Sequence, residues 1–346
     1  MKTKPQSPNF AATMMGAVPY RDKERALDAI LKNFPEAPCL PIMTRGIRWV
    51  LEGMPCMVIN REKREILLDA SPGKENEILE FYDRFESGDL DYFATTPETA
   101  PFFYAMIERL KTHRPSELKW VVLHTVGPLL LGDMLKQPDG TPSIHHETLR
   151  DILIKCMNMK TRWLEKKLKE EIPEIEVVAD LPETTLVNFT SAGGTGNRQE
   201  IIEAVDEGFS KLTCLTWIHC CANIDWSLLT DTKTDIINFD AYQHSDKVVL
   251  YAKDFKNFID RGGMIGWGIV PVVPELLEKE TVQSLVERLE QAINSFAQKG
   301  IDEKKLASAS WILPCCDAVM LTADQTDVVF QMTKQISEAL RKTYGF

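Results

Sequence analysis

Four things are missing from this chain. No run approaches the roughly 18 to 20 uninterrupted apolar residues of a membrane-spanning helix, and the opening MKTKPQSPNF has no apolar stretch of a secretion signal. Positive charge is scarce: 40 Lys and Arg against 51 Asp and Glu leave a net charge of -11. Neither nucleic acid nor an anionic membrane surface finds here the basic field it would bind. A phosphate-binding glycine turn is absent too. Met15-Gly16-Ala17 is not a dinucleotide fingerprint, and Gly193-Gly194-Thr195-Gly196 lacks the Lys-Ser/Thr ending of a phosphate loop and reads as an ordinary loop. Finally, there is no internal repeat and no low-complexity linker, so residues 1–346 are expected to form one domain. The expected location is the cytoplasm, where the eight cysteines would be buried, metal-bound or reactive rather than paired in disulfides.

What is present is an alternation of short β-branched runs with longer amphipathic stretches, the rhythm of an α/β fold. Strands are expected at 12–15, 39–43, 119–124, 185–189, 214–219, 235–239, 264–269 and 310–313. Helices are expected at RDKERALDAILKNF, HHETLRDILIKCMNMKTRWLEKKLKEE, NRQEIIEAVDEGFS, TVQSLVERLEQAINSFAQKG and TDVVFQMTKQISEALRKTYGF, with Ser143 and Asn197 as starts and Gly300 as a stop. Eight strands, each followed by a helix or a long excursion, predict a (β/α)8 TIM barrel. Such a barrel takes about 250 residues, so the surplus is placed at about 44–117. There CMVINREKREILLD predicts an inserted hairpin turning around Arg61 to Arg64, followed by two helices.

In such a barrel the functional residues gather where the strands end. The expected fifth strand ends in His219-Cys220-Cys221, the sixth reaches Asp240, and the eighth ends in Cys315-Cys316, a donor set that suits zinc. Side chains alternate along a strand, so His219 and Cys221 share a face and Cys220 opposes them. By the same parity Cys316 goes with Ile312 and Pro314, and Asn238 goes with Asp240. Which face is inward stays open. So does the plain alternative, that the thiols are buried packing residues.

IHCCANIDWSLL, DIINFDAY, GGMIGWGIVP and WILPCCDA, in that order, together with ATMMGAVPYRDKERALDAIL and VVLHTVGPLLLGDML, resemble the catalytic half of cobalamin-independent methionine synthase. The likeness is nearer to short stand-alone relatives, in the superfamily shared with uroporphyrinogen decarboxylase and corrinoid-dependent thiol methyltransferases. The resemblance implies a (β/α)8 barrel and a methyltransferase with zinc held by His219, Cys221 and Cys316, with Asp240 at the place of the family's glutamate. It also implies a small thiol, activated as zinc thiolate, as methyl acceptor. Met15 and Gly16 would lie beside that substrate. Arg45 and Arg48 are candidates for an anionic group of it, and His244 or His124 for an acid. His145 and His146 are expected to face solvent.

Two departures bear on the acceptor. The family carries a serine after the first glycine, where this chain has Ala17, and an Asp-Glu-Pro at the end of the fourth strand, where the chain is expected to run LVNFTSAGG, through Phe189-Thr190. Both help hold the amino-acid end of homocysteine, so an altered thiol is expected. The expected methyl donor is a methylated corrinoid on a partner protein, with methyl-tetrahydrofolate second. The competing readings are a metal-free lyase resembling uroporphyrinogen decarboxylase and a non-catalytic corrinoid- or thiol-binding relative.

Overall fold

The structure is a computed structural model that describes residues 6–43, 48–60, 62–63, 65–190 and 197–346. Among these, β1 (Ala11–Ala12), β6 (Trp120–His124), β7 (Glu176–Pro182), β8 (Leu215–Cys220), β9 (Ile236–Asp240), β10 (Met264–Val270) and β11 (Ser310–Pro314) form one parallel sheet of seven strands, in the order β1-β11-β10-β9-β8-β7-β6. Beside it lie two short pairs. The parallel pair is β2 (Ala17–Val18) with β3 (Ile42–Met43), and the antiparallel pair is β4 (Met57–Asn60) with β5 (Glu65–Leu68). The second is the hairpin expected from CMVINREKREILLD. Helices Glu75–Ser87 and Pro101–Thr112 follow it as expected.

The sheet curls. Trp120, Trp217 and Trp311 stand on β6, β8 and β11, none of which neighbours another in the sheet. Yet their rings meet, Trp120 to Trp311 at 4.8 Å and Trp217 to Trp311 at 5.5 Å between centroids. Flat strands could not bring these rings together, so the three indoles mark the concave face and fill it. Gly266 makes room for them, since a Cβ there would lie 2.8 Å from both Trp217 and Asn238. Helices cover the outer face in a TIM-barrel-like layering. At the free edge of β6, Leu40 N donates to Val122 O (2.9 Å) and Val122 N to Pro38 O (3.0 Å). Thr13, next to β1, donates its hydroxyl to Ala37 O (2.8 Å).

The helix boundaries follow from local chemistry. Helix Arg198–Gly208 starts at Asn197, whose side chain accepts from Gln199 N, and Val282–Gln298 starts with a Thr281–Ser284 capping box. Gly300 stands just past that helix at φ 94°, where a side chain is strained. The long helix Glu147–Glu171 is capped by the His146 side chain rather than opened at Ser143, so His146 is half-buried while His145 is exposed.

One strand was expected in the wrong place. Residues 185–189 are not a strand; a short helix spans Leu186–Thr190, and the strand between β6 and β8 is β7, ending in Asp180-Leu181-Pro182. A run such as TTLVNF is too short for periodicity to separate strand from helix. Val177 and Val178, the better strand formers, sit directly after a long helix. The GGTG loop falls outside the described residues. No described helix is long and apolar enough to cross a membrane.

Because a methyl group at position 266 must push into Trp217 and Asn238, Gly266→Ala should lower stability by about 1–3 kcal/mol, read as a lower urea midpoint at unchanged slope.

Candidate metal centre

Trp217 touches Trp311 on the concave face, so parity along β8 carries His219 to that face and turns Cys220 away. Cys220 is fully buried and its thiol meets Ala222 O at 3.8 Å, as expected of a packing residue. On the next strand Asn238 lies level with His219, and its Oδ1 bonds His219 Nδ1. The amide's orientation is fixed from the other side, where Asn238 Nδ2 donates to Gly266 O (2.9 Å). The oxygen therefore faces the imidazole, Nδ1 carries the proton, and Nε2 is left with its lone pair. Nε2 is buried and has no partner.

Two thiols stand beside that imidazole. The candidate donor atoms of His219, Cys221 and Cys316 all lie within 4.8 Å of one another. A tetrahedral zinc with bonds of about 2.0–2.3 Å spaces its ligands about 3.3–3.8 Å apart, so small side-chain adjustments bring all three onto one ion. An imidazole whose other nitrogen donates to a carbonyl-type oxygen is the usual zinc-binding form. The residues present therefore fit the metal. Cys316 reaches the cluster because β11 ends at Pro314, after which strand parity no longer applies. Cys315 N bonds Val270 O (2.9 Å) and its side chain is buried.

Burial lowers the pKa of His219, but its contact with Cys316 and the charges of Cys316 and Asp180 outweigh this and raise it. The Cys316 thiol is pushed up, first by its hydrogen bond with Cys221 and then by burial.

Asp240 does not join the three. It is the N-cap of helix Ala241–Val248, with one oxygen accepting from Gln243 N (2.9 Å) and the other from Gln243 Nε2 (2.6 Å), and burial raises its pKa. His244 is half-buried on that helix, its Nδ1 3.5 Å from Lys247 Nζ, and also stands outside the cluster. Met15 is buried in the core. Gly16 lies against His124, whose ring leaves no space for a side chain there, and Gly16 O accepts from Ile42 N (2.7 Å). Arg45 lies outside the described residues, as does the side chain of Arg48.

Sequence reasoning missed two buried carboxylates, both displaced by the misplaced strand. Asp180 holds His124 Nδ1 at 2.5 Å through Oδ2, while its Oδ1 is buried without a partner. The strand before β8 thus does end with an aspartate, which overturns the expectation that LVNFTSAGG stands there. Glu183 follows at once. Its N–H donates to His219 O (2.8 Å), and its carboxyl accepts from Leu129 N (3.0 Å) and Leu130 N (2.7 Å). Burial outweighs those two bonds and pushes its pKa up to about 8. The signal available in the sequence was Asp-x-x-Glu directly after Val177-Val178-Ala179.

No protein-family model and no curated protein matches the sequence. Among solved structures, a B12-independent methionine synthase from Shewanella sp. W3-18-1, in complex with selenomethionine, superposes with a TM-score of 0.55. It is 14% identical, over 96% of this chain and 98% of that one. A GH113 β-1,4-mannanase gives a TM-score of 0.45 at 9% identity, over 97% and 98%. At such identities the likeness to the synthase shows the fold, a TIM-barrel-like α/β arrangement.

Glu183 supplies a pH test. Its folded-state pKa of about 8 stands above the ordinary 4.5, so between those values the folded chain binds more protons than the unfolded one. Stability then falls as pH rises through that window, by on the order of a few kcal/mol. Urea unfolding across the window should show the decline, and Glu183→Gln should flatten it; an equal slope in the variant would contradict the assignment.

Proposed function

We propose that the protein is a zinc-dependent methyltransferase that moves a methyl group from a methylated corrinoid on a partner protein, or from methyl-tetrahydrofolate, to a small thiol. The observation that carries this reading is the bare, buried Nε2 of His219 facing two thiols. Nothing in ordinary packing calls for an imidazole locked in one tautomer with its free lone pair aimed at Cys221 and Cys316. The matching fold of a methionine synthase gives it weak further support. The bonds of residues 37–40 to β6 and of Thr13 to Ala37 support the fuller architecture, an eight-position closed barrel.

Bound zinc would replace the acceptor's thiol proton and hold its sulfur as the nucleophilic thiolate. His219, Cys221 and Cys316 would bind the ion, leaving a fourth position for the substrate, with Asp240, once released from Gln243, the carboxylate candidate to stand there in its absence. Asn238 orients His219. The thiol proton goes to His124, which Asp180 holds in place. A sulfur lone pair forms the new bond to the methyl carbon, and the electron pair of the broken bond stays with the donor. The three central indoles fill the concave face below the site.

Purified without chelator, the protein should hold close to one zinc per chain, and Cys316→Ser should lose most of it. Asn238→Ala should weaken zinc binding by about 10–100-fold while keeping all three ligands. Incubation with methylcobalamin and a panel of small thiols should give demethylation that Cys316→Ser abolishes. A metal-free wild type would sink the reading and leave the lyase, whereas zinc binding without turnover would favour a non-catalytic relative.

A further inference from the structure

The segment that exceeds a bare barrel builds something. A cavity of about 530 Å³ straddles the C-terminal end of β6, between the sheet and the added chain. Leu40 and Leu123 line its floor, Trp49, Phe102 and Phe103 from the added segment cover it, and Leu164 of helix Glu147–Glu171 closes one side. All six are buried. The two ionisable groups among its lining residues are Glu98, exposed at the rim, and His124, inside.

The size lies in the usual range for a small-molecule site, about 300–1,000 Å³, and is too small for a corrin ring with its side chains. A cavity walled by Phe, Trp and Leu takes apolar groups in preference to water. The placement of His124 gives the cavity its meaning. His124 lines the cavity, its Nδ1 is held by Asp180, and Asp180 stands on β7, the strand next to the one that carries His219. His124, Asp180 and His219 stand on the consecutive strands β6, β7 and β8, so His124 and Asp180 lie between the apolar space and His219.

We propose that this cavity binds the apolar body of the methyl acceptor, which makes the substrate a hydrophobic alkyl or aryl thiol; this rests on the zinc-thiol reading above. The body lies on the cavity side of His124 and the sulfur on the cluster side. The phenyl rings and Trp49 set the length that fits, and Glu98 at the rim disfavours acceptors with a distal anionic group.

The test is calorimetric titration of the zinc-loaded full chain with n-alkyl alcohols from butanol to octanol, and with the matching n-alkanethiols. The alcohols report on the cavity alone. Their affinity should rise about fourfold per methylene until the cavity is filled. Ala100→Phe, which fills the space from a lining position, should weaken the longer alcohols by about tenfold at unchanged zinc content. Phe103→Ala, which enlarges it, should move the plateau to longer chains, so the proposal survives loss of either variant to misfolding. Affinity independent of chain length, or an identical series in both variants, overturns the proposal. Thiols that bind no tighter than their alcohols while the series persists overturn the zinc-thiol reading and leave the apolar site standing. Thiols that bind tightly with no chain-length series do the reverse.

Discussion

The hydrogen bond from His219 to the Asn238 side chain is the contact on which the site depends. An imidazole has two nitrogens and one proton, and a buried neutral one can serve a metal only if the proton is kept on the far nitrogen. Asn238 does this because its own amide is committed to Gly266 O. Gly266 in turn has no side chain because Trp217 and Asn238 occupy its space. Core packing and ligand chemistry are thus one structure. The indoles that fill the concave face also set the height at which β8, β9 and β10 present His219, Asn238 and the Gly266 carbonyl.

Around this relay the interior holds more unneutralised polarity than packing alone would tolerate. Asp180 Oδ1 and His219 Nε2 are both buried without partners, each costing on the order of 1–3 kcal/mol if left so. Glu183 is buried against the N-terminus of helix Pro128–Met134 and ties the chain after β7 to His219 O. Orphaned polar atoms of this kind concentrate where a structure is built to receive something else. Here they lie at the ends of adjacent strands, β7 and β8. The apolar cavity on the other side of His124 complements them, because a substrate with a polar head and an apolar body satisfies both environments at once.

Much of this was legible along the chain. Cys221 and Cys316 stood out because cysteines follow strand-ending apolar runs, and parity separated Cys220 from His219 correctly. It failed for Cys316, which reaches the cluster by a change of direction after Pro314 that no alternation rule describes. Asp180 and Glu183 escaped because β7 follows a 25-residue helix with no turn signal but Pro173. The short run after Pro182 imitates a strand as well as β7 does. The hairpin was legible from its charged turn between two apolar runs, whereas the cavity beneath the added segment was not, since its walls come from five separate stretches of chain.

The sequence by itself determined the class of fold, the helix starts at Asn197 and Thr281, the identity of the candidate donor atoms and the negative net charge. These follow from periodicity, capping and charge, which act over a few residues or over the whole composition. Tertiary structure alone decided which face is concave, that Asn238 fixes the His219 tautomer, that Asp240 turns to cap its own helix, and that His124 joins a buried aspartate to an apolar space. Each of these depends on the curl that brings β6, β8 and β11 within reach of one another, and curl is a property of many strands packed together rather than of any one of them.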